Sequence, residues 1–516
     1  MLSQCTFSST KKINGKIVGA NSTVGHLLRD PSIISQPSVE NIYTDVVIIG
    51  GGVSGLSAAR WLHQNNQANF LLLELGQHTG GNAASGKNNT SAYPWGAHYV
   101  PLPNNNLKEY LNFLEECKVI TGYENNLPVI NEYYLCFEPQ ERLYINGYWQ
   151  EGLIPHFGVP AKELQQVKNF LAQMEVFRKA KGSDGKDAFS IPVDEASTDE
   201  TFRQLDRISM KEWLVENGYT SPYIGWYVNY CCRDDFGTTY EQASAWAGIH
   251  YFAGRKGIAA NAPAQSVITW PEGNGWLVKN LQKDIEKQII TGTIALNIQH
   301  DANEVKIKVL ELGSKKLKTI IAKRCIVATP QFVAARLLED ASKQKVVADN
   351  FIYQPWMIAN ITTKKLTERN GEELCWDNVL YKANGIGYVE ATHQQVQQLK
   401  DKNVFTYYLP LTGGMAANER QLAQKRSFED WVNIIQSDLT AAHPDFNKQV
   451  ENIDVWIWGH GMISPQKNFI HGAAKKEMQQ PVDNKIFFAH SDLSGISNFE
   501  EAFYQGIKAA KAVLAS

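Results

Sequence analysis

The sequence predicts an α/β fold in which a Rossmann-like domain is interleaved with a second domain of mixed α and β structure. The first observation is the apolar run Val46–Ile49, which enters a glycine-rich turn at residues 50–55 and continues into a helical pattern. The second is the apolar run Phe70–Leu73, which ends on Glu74. The third is the length of 516 residues, which is more than one hydrophobic core usually serves. Strand, turn, helix, strand and terminal acid follow in the order of a dinucleotide-binding βαβ unit.

Each glycine of the turn has a defined purpose in such a unit. Gly50 permits the tight turn, Gly52 lets the backbone approach a pyrophosphate, and Gly55 lets helix and strand pack closely. Val53 and Ser54 begin the helix, whose N-terminus attracts negative charge. The acid that ends the second apolar run can accept hydrogen bonds from ribose hydroxyls. The alternative is a purely structural glycine turn, because such turns are common in α/β proteins.

Two later segments indicate which dinucleotide is bound. They carry a Gly-Gly turn and a Gly-Ala-His triplet, formed by Gly80, Gly81, Asn82, Gly96, Ala97 and His98. Through them the chain resembles the flavin-containing amine oxidase superfamily, which includes amine oxidases, phytoene-type desaturases and protoporphyrinogen oxidases. The resemblance implies bound FAD, with its phosphates at the turn and its flavin ring beside the triplet. Asn82 stands where the family usually has arginine, so a charge-assisted phosphate contact becomes a neutral one, weaker by about 1 kcal/mol.

The C-terminal end of the chain supplies the second half of the resemblance. The apolar run Ile486–Ala489 is typical of a short strand, and an acid and a helical pattern follow it. In the family this acid meets the FAD phosphate and ribose, and the helix N-terminus stabilises negative charge on the reduced flavin. The matching cofactor residues are Asp492, Ser497, Asn498 and Phe499, with Ala295 at the adenine. Noncovalent FAD is expected, because no cysteine lies near Gly495.

The apolar patterns and the resemblance together divide the chain into three parts. These are a polar N-terminal arm at 1–42, a discontinuous FAD-binding domain at 43–103, 241–330 and 481–516, and a substrate-binding domain at 104–240 and 331–480. Helical periodicity predicts helices at Ala161–Lys179 and Phe428–His443, and alternating apolar residues predict a strand at Val305–Leu310.

Composition excludes several classes of function. A net charge of −3 without a basic run argues against a nucleic-acid partner, and no apolar run reaches the about 18 residues of a membrane span. The seven cysteines contain no CxxC pair, and we expect no metal site. Cys231 and Cys232 are expected to be buried thiols, with a strained redox pair as the alternative.

The chain is expected to be soluble and cytoplasmic; the alternative is an exported lipoprotein with a trimmed signal, anchored by Cys5.

The resemblance implies that hydride passes from a substrate C–H bond to flavin N5, while the protein orients the substrate and excludes water. Many relatives add a lysine that holds a water near N5 and two aromatic rings beside the substrate amine. In this chain Ala359 or Asn360 falls where the lysine would lie, and Asn498 replaces one ring. The remaining candidates for catalysis are His460, Trp458 and Trp356. His460 is the candidate acid or base, and a packed structural histidine is the alternative.

Three classes of function remain open. The first is an FAD-dependent oxidoreductase of a small amine or amino-acid-like substrate, reoxidised by oxygen or another acceptor. The second is a desaturase or isomerase of an apolar substrate, and the third is a non-catalytic flavin-binding module. The run Arg233–Asp235 could orient a charged substrate, although a solvated or capping cluster is the commoner explanation. The sequence leaves the oligomeric state open.

Overall fold

The computed structural model describes residues 13–19, 22–396 and 401–516. Its strands are β1 (Asn14–Ile17), β2 (Glu40–Ile49), β3 (Phe70–Leu73), β4 (Ser85–Lys87), β5 (Ala92–Pro94), β6 (Tyr99–Pro101), β7 (Ile120–Glu124), β8 (Leu127–Ile130), β9 (Glu141–Ile145), β10 (Tyr148–Glu151), β11 (Val267–Thr269), β12 (Ile289–Ile290), β13 (Thr293–His300), β14 (Val305–Glu311), β15 (Lys316–Val327), β16 (Tyr353–Lys364), β17 (Asp377–Leu380), β18 (Gly387–Glu390), β19 (Lys402–Pro410), β20 (Val450–Ile463) and β21 (Ile486–Phe488).

The α-helices are α1 (Ser22–His26), α2 (Pro31–Ile34), α3 (Val53–Gln64), α4 (Lys108–Glu116), α5 (Ala161–Lys179), α6 (Glu200–Arg203), α7 (Met210–Glu216), α8 (Pro222–Phe236), α9 (Ala245–Ala253), α10 (Gly275–Leu281), α11 (Gln331–Leu337), α12 (Ala341–Asn350), α13 (Ala416–Lys425), α14 (Phe428–Ala442), α15 (Phe446–Gln449), α16 (Ala473–Met478) and α17 (Phe499–Ala515). Short 3-10 helices occupy Leu27–Arg29, Gly81–Ala83, Val193–Glu195, Gln204–Arg207, Glu286–Gln288 and Ser491–Leu493.

A mixed sheet contains the glycine-rich unit. Strands β12, β3, β2, β15 and β21 run parallel. Strand β14 pairs antiparallel with β15, and β13 pairs antiparallel with β14. The apolar residues of β2 alternate between its faces. Val46 and Ile48 face the layer that contains α3 and α17, and Val47 and Ile49 face the layer with α11 and α12. Both faces of the parallel region are therefore covered, as such a sheet requires, and the predicted α/β class is confirmed.

A second sheet has eight strands, which come from both halves of the chain. Its order is β1-β20-β16-β19-β18-β17-β9-β10. On one face α14 and its neighbours bury Trp431 and Leu439. The other face presents aromatic side chains, among them Trp356 and Tyr408, toward α8. The two faces thus differ: one forms a closed core, and the other borders a pocket.

A helical layer formed by α5, α7, α8 and α9 closes the far side of that pocket. Its core contains Phe170, Trp213 and Trp246, all buried. The start of α7 is fixed by a reciprocal capping arrangement, in which Ser209 accepts from the Glu212 backbone N–H and Glu212 accepts from that of Ser209. Trp246 and His250 lie inside this layer and not at the pocket wall.

Tertiary packing joins several segments that lie far apart in the sequence. Residues 14–17, expected in a polar arm, pair in parallel with β20 at the edge of the second sheet. Helix α9 packs with the helical layer, and α11 and α12 pack against the sheet that contains β2 and β15. Periodicity reveals that a helix has an apolar face, but the layer that covers this face is decided by tertiary packing. The proposed lipid anchor Cys5 and the rest of residues 1–12 lie outside the described residues.

None of the helices in the described part of the chain combines the length and apolar character that a bilayer crossing requires. The described cysteines are all free thiols, including the adjacent Cys231 and Cys232, which are buried. Burial raises the pKa of both thiols, so neither is an activated nucleophile.

Candidate functional site

A cavity of about 430 Å³, hereafter the candidate nucleotide cavity, opens at the carboxyl ends of the parallel strands β2, β3 and β15. This is the edge at which open α/β sheets bind ligands. The cofactor residues expected from the sequence that line it are Gly50, Gly52, Val53, Ser54, Glu74, Gly80, Gly81, Asn82, Ala97, Ala295, Asp492, Ser497, Asn498 and Phe499. Segments more than 400 residues apart in the sequence therefore share one cavity.

The first glycine turn leaves open space at the start of α3. Gly50 adopts a φ of 110°, which side chains disfavour. A Cβ on Gly55 would lie 1.9 Å from the Gly50 carbonyl oxygen, so only glycine allows this close packing. A Cβ on Gly52 would instead meet no atom within 4 Å. This open space beside the uncapped N-terminus of α3 fits a pyrophosphate, which is the part of FAD that the turn would hold.

Glu74 lies at the end of β3 and faces this turn. One carboxyl oxygen accepts a hydrogen bond from the Gly51 N–H (2.8 Å), and the other accepts from the Gly76 N–H (2.6 Å). Burial raises the pKa of Glu74, and these two backbone hydrogen bonds oppose the rise. Because each carboxylate oxygen has a second acceptor site, Glu74 retains the capacity to accept from ribose hydroxyls.

The second glycine turn is joined to both neighbouring parts of the site. The Gly80 N–H donates to the Gly51 carbonyl (2.8 Å), which holds the two turns together. The Asn82 side-chain amide donates to the Gly461 carbonyl at the end of β20. The backbone carbonyl of Asn82 accepts a hydrogen bond from the Ala97 N–H (2.8 Å). Asn82 thus links the glycine turn, the 96–98 triplet and the second sheet, and its contact with a phosphate stays a prediction.

The C-terminal segment closes the other side of the cavity. Asp492 accepts hydrogen bonds from the Gln331 N–H (2.9 Å) and the Tyr353 hydroxyl (2.5 Å) and lies 3.0 Å from His490 Nδ1. Burial alone would raise the pKa of Asp492, but His490 and these hydrogen bonds hold it below its ordinary value. Asp492 therefore joins three elements at the cavity wall as a carboxylate.

Helix α17 begins where this cavity meets a second one. Asn498 caps the helix by accepting from the Glu501 N–H (2.8 Å), and the Ser497 hydroxyl lies 3.0 Å from that of Ser491. Ser497, Asn498 and Phe499 line both cavities. The positive end of the helix dipole is thus aimed at the junction.

The N-terminal segment contributes a wall that sequence reasoning missed. Gly25 and Leu28 line the nucleotide cavity, and Leu28 belongs to the same buried cluster as Ala295. The polar composition of this segment did not indicate such a contact. The segment lies more than 250 residues before β13, so no local pattern links the two.

The second cavity, of about 150 Å³, is the candidate substrate pocket. Its apolar wall consists of Trp356, Ile358, Tyr408, Trp458, Met462 and Phe499. Trp356 and Trp458 lie directly opposite each other on β16 and β20. Among the lining residues of the described chain there is no lysine and no cysteine. The pocket is mainly aromatic and adjoins the place where α17 begins.

Gly96 and His98, expected at the flavin ring, lie in this second pocket. The His98 ring packs 4.8 Å from that of Tyr408, whose hydroxyl donates to the Gly96 carbonyl (2.9 Å). Burial lowers the pKa of His98 to about 4, so the imidazole is neutral near pH 7. The Trp458 indole N–H donates to the Trp95 carbonyl (2.6 Å). These contacts hold the aromatic wall in one arrangement.

One ion pair and two further carboxyl groups interrupt the aromatic wall. Asp235 forms an ion pair with Arg255, whose guanidinium also donates to the Tyr99 hydroxyl (3.3 Å). Burial and the nearby Asp235 raise the pKa of Asp234 to about 7, and burial raises that of Glu500 to about 7. Asp234 was noticed in the sequence only as part of a charge run. Glu500 was missed because it resembles an ordinary acid in the first turn of a helix.

His460, expected to serve as acid or base, lines the nucleotide cavity and not the substrate pocket. Its ring stacks on Phe332 at 4.1 Å. Burial, together with the positive charges of Arg420 and Arg29, lowers the pKa of His460 to about 3. The imidazole is therefore neutral near pH 7, which fits packing against a cofactor better than proton transfer. The described residues contain no group of three or more acidic, histidine or cysteine side chains placed to hold a metal ion.

Known proteins resemble this chain in the same regions. Residues 48–114 match the family model of an NAD(P)-binding Rossmann-like domain. Oxidoreductase PigB of Serratia sp. (strain ATCC 39006) is 22% identical over 541 residues, covering 91% of this chain and 75% of that protein.

Solved structures extend the similarity to almost the whole fold. Wild-type putrescine oxidase bound to putrescine superposes with a TM-score of 0.66 at 13% identity, over 92% of this chain and 100% of that one. A CLA-producing fatty acid isomerase from P. acnes superposes with a TM-score of 0.61 at 14% identity, over 90% of this chain and 97% of that one. These comparisons agree with the resemblance found in the sequence: the chain shares its fold with putrescine oxidase and with the fatty acid isomerase, and it includes a region that matches an NAD(P)-binding Rossmann-like domain.

Proposed function

We propose that the protein is an FAD-dependent oxidoreductase that acts on a small amine or amino-acid-like substrate. The observation that carries the proposal is the junction of the two cavities at the N-terminus of α17. The larger cavity, which has open space at Gly52, meets the small aromatic pocket at this helix N-terminus. The similarity to a protein named an oxidoreductase supports the class of enzyme.

In this proposal the first glycine turn and the start of α3 hold the FAD pyrophosphate. Glu74 would bind the ribose, Ala295 would contact the adenine, and the N-terminus of α17 would stabilise negative charge on the flavin pyrimidine. When bound, FAD supplies the hydride acceptor. We propose noncovalent binding, because no described cysteine lines either cavity.

The residues of the pocket would orient the substrate and exclude water. Trp356 and Trp458 form the wall along which the substrate carbon would approach the cofactor. Asp234 and Glu500 are the groups able to exchange a proton near pH 7, because their pKa values lie at about 7. We propose these two carboxyl groups, in place of His460, as the proton acceptors of the site.

A second candidate function is desaturation or isomerisation of an apolar substrate. The largely aromatic wall and the lack of a lysine among the described lining residues favour it. The similarity to a fatty acid isomerase is compatible with this alternative at the level of the fold.

The test is anaerobic reduction of the purified, FAD-loaded protein. We expect a yellow protein that releases FAD on mild denaturation and whose flavin absorbance bleaches with members of a panel of amines and amino acids. Bleaching only with apolar polyenes or porphyrinogens would favour the second candidate. If the protein binds FAD but no organic donor bleaches the flavin, the result would favour a non-catalytic flavin-binding module.

A further inference from the structure

The substrate pocket contains more acidic than basic groups. Its wall includes three carboxyl groups, those of Asp234, Asp235 and Glu500, and one guanidinium, that of Arg255. Arg255 is engaged by Asp235. His98 is neutral near pH 7, because burial lowers its pKa to about 4. Two carboxyl groups therefore lack a cationic partner of their own among the described residues.

Glu500 is an unusual group to bury in this way. Its exposed fraction is 2%, and it lies in the pocket wall. No other described residue donates a hydrogen bond to its carboxyl group; only its own backbone N–H does so. The neighbouring Glu501 differs, because it accepts from the Val193 N–H (2.7 Å). A buried carboxylate without partners is costly, so Glu500 is suited to a ligand that supplies the missing charge.

Asp234 reaches the same pocket from α8. Among the described residues none donates a hydrogen bond to it, and it is a partly exposed residue of the pocket lining. The aromatic rings of Trp356, Tyr408 and Trp458 complete the wall. Aromatic faces attract cations when water is excluded, so acidic and aromatic groups favour the same kind of ligand.

We propose that the pocket binds a substrate with a positively charged nitrogen, and that Asp234 and Glu500 form the subsite that balances this charge. The inference rests on the proposed function for the identity of the pocket as the substrate site. It adds the residues that select the substrate. A neutral apolar substrate would leave both carboxyl groups buried without a partner, and an anionic substrate would be repelled.

The test uses two probes of nearly equal shape, benzamidine and benzamide. Benzamidine is a cation at pH 8 and benzamide is neutral, and neither has a C–H bond next to nitrogen that could be oxidised. Binding to the FAD-loaded protein is measured by isothermal titration calorimetry at pH 8. We expect benzamidine to bind at least about tenfold more tightly than benzamide, and the double variant Asp234→Asn/Glu500→Gln to lose this preference.

Several controls separate the possible causes. Asp234→Asn and Glu500→Gln apportion the preference between the two groups, and Glu241→Gln removes a carboxyl group exposed at the surface and paired with Lys211, so it should change nothing. Flavin content and circular dichroism check that the variants fold. Equal affinities for the two probes, or a preference that survives in the double variant, would overturn the proposal. Failure of every donor to bleach the flavin would instead reject the proposed function, since probe binding needs no turnover.

Discussion

The carboxyl group of Glu74 and the backbone N–H of Gly51 form a 2.8 Å hydrogen bond. The acid that ends β3 is therefore bound to the glycine turn that follows β2. In addition to its expected contact with a ribose, Glu74 fixes the turn against which the pyrophosphate would lie. One side chain thus links two parts of the nucleotide site.

Replacement of Glu74 by glutamine should weaken FAD binding. Two backbone N–H groups now donate to the two carboxyl oxygens of Glu74. Because an amide has only one acceptor oxygen, the turn loses one hydrogen bond to a charged acceptor. We expect the Kd for FAD to rise by about tenfold or more. Fluorescence titration of the apoprotein with FAD measures this change. Glu339→Gln, an exposed site, is the control; equal affinities for both variants would contradict the role of Glu74.

Alanine at Gly52 should separate folding from cofactor binding. The added Cβ meets no protein atom within 4 Å, so the apoprotein should melt at nearly the parent temperature while its flavin content falls sharply. Gly55→Ala is the contrasting variant, because its Cβ would lie 1.9 Å from the Gly50 carbonyl oxygen, and it should lower the melting temperature of the apoprotein. Full retention of FAD by Gly52→Ala would show that the open space is not the phosphate site.

Truncation of Leu28 to alanine should accelerate FAD release. Leu28 lines the nucleotide cavity and packs in the cluster that contains Ala295, and such truncations usually cost about 2–5 kcal/mol of packing when the site cannot collapse. Stopped-flow measurement of FAD dissociation tests this expectation. Val39→Ala, at a site 69% exposed, should leave the rate unchanged. Identical dissociation rates would show that the N-terminal segment does not cover the cofactor.

His460→Gln should leave the pH dependence of flavin reduction unaltered near neutrality. The pKa of His460 lies at about 3 because of burial and nearby positive charge, so this group does not titrate between pH 5 and 9. An inflection near pH 7 is expected from Asp234 and Glu500, whose pKa values are about 7. Anaerobic reduction rates across this range provide the measurement. Disappearance of the inflection in His460→Gln would restore the histidine to a catalytic role.

Asp234→Asn should stabilise the protein, and more at pH 8 than at pH 5. The pKa of Asp234 rises to about 7 in the folded protein from an ordinary value of about 3.9, so folding favours its protonated form and stability is lost as pH rises from about 4 to about 7. Burial and the adjacent Asp235 raise the pKa and Arg255 opposes the rise. Asparagine does not ionise and avoids this loss.

Thermal denaturation of the FAD-loaded protein at the two pH values measures this difference. The gain in melting temperature should be larger at pH 8 by about 2 °C or more. Glu241→Gln serves as the control, because a surface ion pair contributes little at either pH. A gain that is the same at both pH values would mean that Asp234 is ionised in the fold throughout this range.

The sequence alone determined the parts of the fold that local patterns encode. The apolar run, the glycine turn and the following helix are adjacent in the chain, so their spacing predicts a βαβ unit without knowledge of distant contacts. Periodicity gave helix α5 at Ala161–Lys179 with the bounds that the structure has. The strand, acid and helix after Ile486 were likewise readable, and they form β21, Asp492 and α17.

Only the tertiary structure decided which of these elements meet and what their side chains do there. Asp234 and Glu500 are 266 positions apart in the numbering, and nothing local indicates that they line one pocket. The surroundings of His460 depend on packing too, because burial and the nearby Arg420 and Arg29 lower its pKa to about 3. Leu28 reaches a cavity wall that composition could not predict. Burial, electrostatic environment and contacts between distant segments depend on packing, and no short segment of the chain determines that packing.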